Sequence, residues 1–160
     1  MPFLIDGYNL QKQIHKVDPE FDMPSDTYLC KILSGYLKRI RQFGEVIFDG
    51  IGPPDKTEFE NLDNVEVMFV GRNTDADTVI ERKIKANTAP KNLVVVSSDR
   101  RLRVAAAKRK AVGIRSEDFW PMVMSQLQRR SKPRAEPRSK HDGLTESETD
   151  YWCDFFDLKE

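Results

Sequence analysis

The chain has 160 residues, equal numbers of basic and acidic side chains (26 of each) and 39% hydrophobic residues. That suits one α/β domain with an appendage, and a core that needs no disulfide staples. It excludes a membrane span, since no apolar run reaches the roughly 18 residues a bilayer requires, and the opening Met1-Pro2-Phe3-Leu4-Ile5-Asp6 lacks the basic flank and long apolar core of a secretory signal. The expected location is the cytoplasm. Cys30 and Cys153, far apart and outside any CxxC pattern, are expected to be inert thiols.

Pro2 to Ile5 is short and apolar and stops at Asp6-Gly7, which predicts a buried strand ending in a loop. After Pro24-Ser25-Asp26, the residues Leu29, Ile32, Leu33, Tyr36, Leu37 and Ile40 recur at spacings of three and four and predict one apolar helix face, with Gly44 ending the helix. Val46-Ile47-Phe48 predicts a second strand, closed by Asp49-Gly50-Ile51-Gly52-Pro53-Pro54. A third strand is read at Val65, Val67, Phe69 and Val70, and a helix capped by Thr74 or Asp75 carries Val79, Ile80 and Ile84. Leu93-Val94-Val95-Val96 is apolar throughout, as in a parallel strand covered on both faces. A helix from about Arg100 to Lys110, a short strand Val112-Gly113-Ile114 and a helix from Ser116 to about Gln128, with Phe119 and Trp120 in the core, complete the alternation. The expected fold is α/β, an open, mostly parallel sheet with helices on both faces.

Residues 1–129 are read as this domain, 130–142 as a basic flexible linker, and 143–160 as a short aromatic helix started by the capping box Thr145-Glu146-Ser147-Glu148 and carrying Tyr151, Trp152, Phe155 and Phe156. Charge is segregated along the chain. Residues 100–141 hold thirteen Lys/Arg against three acids, and residues 142–160 hold seven acids against one Lys. A basic stretch after an acidic half points to an anionic partner and a separate acidic site.

Three predicted strands end alike: Ile5 runs into Asp6, Phe48 into Asp49, and Val96 into Ser97-Ser98-Asp99. Parallel strands would line these carboxylates along one edge, where ligands of open α/β sheets bind. Asp77 and Glu81, four apart, would add a helical face beside them. Such a cluster repels itself unless a hard divalent cation, Mg²⁺ or Mn²⁺, neutralises it, and sites of this kind cleave phosphodiesters. Rival chemistries lack their motifs. There is no GxxxxGK[ST] or GxGxxG, Ser97 and Ser98 have no GxSxG context, and His15 and His141 fall in loop-like or linker segments.

Four blocks carry a resemblance to a known family: Leu4-Ile5-Asp6-Gly7-Tyr8-Asn9-Leu10, Val46-Ile47-Phe48-Asp49-Gly50, Asp75-Ala76-Asp77-Thr78-Val79-Ile80-Glu81, and Val95-Val96-Ser97-Ser98-Asp99-Arg100. In order and spacing they resemble the YacP-type NYN family of PIN-like nucleases, over about residues 1–125. The resemblance implies a PIN-like, Rossmann-like three-layer fold and metal-dependent ribonuclease activity. By position it implies that Asp6, Asp77 and Asp99 bind the metal, that Asp49 completes the acidic cluster, and that Glu81 is a further ligand or supporting acid. Asn9 would orient substrate or a ligand water, and Ser98 would support the site. Thr78 departs from the family pattern, which often has an acid there; Asp75 lies on the other side of Ala76.

RNA, single-stranded by preference, is the expected substrate, with the ribosome as a second candidate partner. Arg72, Arg100, Arg101 and Arg103 flank the acidic loops and are candidates for phosphate contacts, and Tyr8 for stacking on a base. Two other readings stand beside this one. A binding or ribosome-associated module of the same fold that no longer cuts is favoured by Thr78. A metal-dependent phosphatase or nucleotide hydrolase would use the same carboxylates, but the Asp6-Gly7-Tyr8-Asn9 stretch lacks the second Asp that an aspartyl-phosphate enzyme needs.

Overall fold

The computed structural model describes residues 2–21 and 25–130. Its centre is a five-stranded sheet of β1 (Phe3–Asp6), β2 (Gly44–Phe48), β3 (Val65–Phe69), β4 (Val94–Val96) and β5 (Val112–Ile114). The strands lie in the order β3-β2-β1-β4-β5, and every pairing is parallel. The helices are α1 (Gly7–Val17), α2 (Asp26–Arg39), α3 (Thr57–Glu60), α4 (Ala76–Ala86), α5 (Arg100–Lys108) and α6 (Ser116–Arg130).

Side chains of a strand alternate between faces, so each central strand feeds two cores. Phe3, Ile5, Val46, Phe48, Val94 and Val96 pack with α1, α2 and α6, around the fully buried Leu10, Leu33, Phe119 and Val123. Leu4, Ile47 and Val95 pack on the opposite face with Ile80 and Ile84 of α4 and Leu102 and Ala106 of α5. This is the expected three-layer α/β architecture, and it explains the unbroken apolar run at β4. Phe119 and Trp120 are core residues, as read from the sequence.

The structure corrects three local expectations. The segment after Asp6 is not a loop. It is helix α1, and His15 stands exposed in its last turn. The short α3 was not foreseen either. Gly44 does not end α2; Arg41 does, at φ 60, with the Gln42 amide returning to the Leu37 carbonyl. Gly44 instead opens β2 where a Cβ would stand 2.9 Å from the Phe3 carbonyl oxygen, so the site tolerates only hydrogen. Among the described residues no helix is long and apolar enough to cross a membrane. The linker from residue 131 onward, the aromatic helix expected at 143–160 and Cys153 lie outside the described residues. Cys30 is buried, and burial pushes its thiol well above the usual range, which leaves no thiolate for chemistry.

Candidate active site

Strand order reverses at β1. The chain moves outward through β2 to β3, then returns to place β4 on the other side of β1. The carboxyl ends of β1 and β4 therefore flank the topological switch point, where open α/β sheets hold their ligands. Asp6 is the last residue of β1, and its carboxylate caps α1, accepting the Asn9 amide at 3.4 Å. It also accepts from the Ser97 hydroxyl at 3.3 Å, across 91 residues of chain. Ser97 in turn accepts the Asp99 amide at 3.0 Å, which fixes the turn out of β4. Asp99 caps α5 by accepting the Arg101 amide at 2.9 Å. Asp49 follows β2 and accepts the Ala76 amide at 2.6 Å, at the start of α4. Asp77 stands in the first turn of that same helix.

Four carboxylates thus arrive from β1, β2, β4 and α4 at one edge, three of them at helix starts, whose positive ends favour anions. Their mutual influence is visible in the protonation. Asp6 is only 6% exposed, and burial raises its carboxyl to about 6 despite the hydrogen bonds from Asn9 and Ser97; the charges of Asp49 and Asp99 add to the rise. Asp77 rises to about 7. Desolvation leads, followed by a hydrogen bond to Asp99 that favours the protonated form and by the charges of Asp6, Asp99 and Asp75. Asp77 therefore holds its proton well above the usual carboxylate range. Among the described residues no group of three His, Cys, Asp or Glu is placed tightly enough to enclose an ion. The donor set still fits a hard divalent cation in its chemistry: it is all carboxylate oxygen, and one member is buried at a standing electrostatic cost that a cation would relieve.

The other predicted residues are placed more variously. Asn9 is half-buried, and its Oδ1 accepts both the Ser98 amide at 2.8 Å and the Ser116 hydroxyl at 2.6 Å. That oxygen braces α1 against the β4 turn and the start of α6. Ser98 is turned the same way, its hydroxyl donating to Glu117. Tyr8 is partly committed to the fold, with its ring 4.9 Å from that of Phe48 and its hydroxyl donating to Asp26 at 3.1 Å. Glu81 is turned away from the carboxylate cluster and paired with Arg101 at 2.7 Å, which holds its carboxyl below the usual range. Arg72 and Arg100 are exposed, and Arg100 follows Asp99 at the start of α5. Asp75 caps α4, accepting the Thr78 amide at 2.7 Å, so it serves the helix start rather than replacing the acid missing at Thr78.

Sequence reasoning missed Ser116 and Glu117. Ser116 is fully buried and bonded to Asn9 across 107 residues, and Glu117 receives Ser98 and stands 3.5 Å from Arg115. The only local signal was the Ser-Glu-Asp helix start, which reads as ordinary capping.

A profile of the YacP-like NYN domain matches residues 3–154. Two solved structures are similar along nearly the whole chain. The crystal structure of Rae1 (YacP) from Bacillus subtilis aligns with a TM-score of 0.67 at 20% identity, covering 99% of this chain and 91% of that one. A tryptophan-to-leucine variant of the same protein aligns with a TM-score of 0.65 at 20% identity, covering 99% of both chains. No curated protein matches.

Proposed function

Because the chain belongs to the YacP-like NYN domain family, a family of PIN-like nucleases, we propose that it is a divalent-metal-dependent endoribonuclease cutting single-stranded RNA at the crevice of Asp6, Asp49, Asp77 and Asp99. The observation that carries this reading is the convergence of four strand-end and helix-start carboxylates at the switch point, with Asp6 and Asp77 raised by burial and by neighbouring carboxylates. Asp6, Asp77 and Asp99 are the residues that would hold Mg²⁺ or Mn²⁺, with Asp49 completing the cluster. The ion would supply an activated water and shield charge on the phosphate. The chain's own part is to hold the carboxylates in place. The Ser97 hydroxyl and the Asn9 amide fix the Asp6 carboxylate, Ser97 fixes the Asp99 turn, and the Asn9 side chain ties that turn to α6. Arg72 and Arg100 would position the phosphate backbone without reading sequence. Asp77 and Asp6 must be ionised to take a cation, so activity rises with pH through the range from about 6 to about 7 in which they lose their protons.

The test is incubation of the full chain with a circular single-stranded RNA, with Mg²⁺, Mn²⁺ or a chelator. Linear product that appears only with metal supports an internal cut. An intact circle beside a shortened linear RNA would replace the endonuclease with an exonuclease. Release of phosphate from mononucleotides with both RNAs intact would overturn the ribonuclease reading in favour of a phosphatase.

A further inference from the structure

Beside the carboxylate crevice, the surface between α4 and α5 forms a groove of about 560 Å³. Five of its lining side chains are cationic: Lys85 of α4, and Arg100, Arg101, Lys108 and Arg109 at the start and end of α5. Glu81 is the one acid among the lining residues, and it is paired with Arg101. Arg101, Val104, Ala105 and Lys108 recur at spacings of three and four, so they share one face of α5. Between the cations the floor is apolar, and Val104 is left 41% exposed. Lys85 of α4 and Lys108 of α5 both line the groove, one from each helix.

The direction of the groove follows from the topology. Both helices begin at the crevice, α4 with Asp77 in its first turn and α5 with Asp99 as its cap. Both run away from it, and Lys85 and Lys108 stand in their last turns. A concentration of cations that starts at a self-repelling acidic cluster suits a polyanion that is continuous through both. The apolar floor favours a single strand, whose bases can lie against the exposed Val104 while its phosphates meet the flanking cations.

We infer that the α4–α5 groove is the track along which single-stranded RNA runs out of the cleavage crevice, with Lys85 and Lys108 holding phosphates of the flanking strand. The inference rests on the ribonuclease reading for the identity of the polyanion, and on the groove's own charge for its place. In this account Arg101 leaves Glu81 for a phosphate when RNA enters.

The test is binding of a fluorescein-labelled 12-nucleotide single-stranded RNA to the full chain by anisotropy, with metal chelated so that no cleavage intervenes. The double variant Lys85→Gln, Lys108→Gln raises Kd about tenfold at low salt. It lowers the slope of log K against log salt by about 1.4, the value for two phosphate contacts on a single strand. The control pair Lys12→Gln, Lys16→Gln, exposed on α1 on the other side of the sheet, leaves both quantities unchanged. An unchanged Kd in the groove variant overturns the inference, as does an equal loss in the control pair. Tighter binding of a duplex of the same length overturns the single-strand assignment. Lysine-dependent binding by a protein that cuts no RNA with any metal leaves the groove standing and overturns only the nuclease reading.

Discussion

Replacing Asp6 with Asn removes RNA cleavage and, in metal-free protein at pH 7.5, stabilises the fold. The two effects share one cause. Asp6 is 6% exposed, and its carboxyl is raised from 3.8 to about 6. A carboxyl raised on folding adds stability that is fully present below the unfolded value. That stability is lost as pH rises through the folded value, because the folded state holds the proton more tightly. At pH 7.5 the ionised Asp6 therefore burdens the metal-free fold by about 3 kcal/mol. Asn keeps the shape and can still accept the Asn9 amide, so the variant gains on the order of 2 kcal/mol, or about 5 °C in Tm for a chain of this length. Loss of groups that merely support a metal ligand costs 10- to 100-fold, so loss of this carboxylate costs at least about 100-fold in cleavage rate. Thermal melts at pH 4 and pH 7.5 with chelator, alongside cleavage assays with Mn²⁺, check both halves. A variant that melts lower than the parent at pH 7.5 would show that Asp6 is a structural anion rather than a strained one.

Gly7→Ala lowers stability by about 3 kcal/mol and cleavage with it. Gly7 opens α1 directly after Asp6, and a Cβ there would lie under 3.0 Å from three atoms of the Phe48 ring. That ring cannot step aside. It is fully buried, stacked on Phe69 with centroids 5.2 Å apart, and touched on another side by Tyr8. Overpacking of a well-filled core commonly costs 1–3 kcal/mol, and a contact with an immobile ring sits at about the top of that range. The strain would fall on the start of α1, which holds Asp6 and Asn9. Combining Gly7→Ala with Phe48→Leu gives the ring's space back to the methyl group, so the pair destabilises by about 1 kcal/mol less than the sum of the singles in a double-mutant cycle. Strict additivity in chemical denaturation would remove the steric explanation.

Much of the fold was legible because its signals are local. β1 and β2 end in short apolar runs that stop at Asp6 and Asp49, and the unbroken β4 run declared two covered faces. Helix α1 was hidden because it buries only Leu10 and Ile14 beyond its first glycine, too narrow a stripe among Gln11, Lys12, Gln13 and His15 to stand out. Arg41 was hidden because nothing in a basic side chain announces a left-handed backbone, whereas Gly44 nearby does invite that reading. At the site, strand ends are readable from sequence and the partners that tie them together are not. Glu81 follows Asp77 by one helical turn, but that turn faces α5, where Arg101 claims the carboxylate. The Asn9, Ser98, Ser116 and Glu117 cluster joins segments up to 107 residues apart, a relation only the tertiary structure reveals.

The central proposal is that the carboxylate crevice is a cation site whose Asp77 and Asp6 carboxyls are held above the usual range until the cation arrives. Calorimetric titration of Mn²⁺ into the full chain at pH 7, repeated in buffers of different ionisation enthalpy, reads binding and proton release together. The account predicts that Mn²⁺ binding releases protons, because Asp77 at about 7 and a smaller fraction of Asp6 at about 6 must ionise to make room for it. It also predicts that both the binding and the release are lost in Asp6→Asn and Asp77→Asn. Mn²⁺ binding that releases no protons and survives in both variants would place the cation elsewhere and contradict the account.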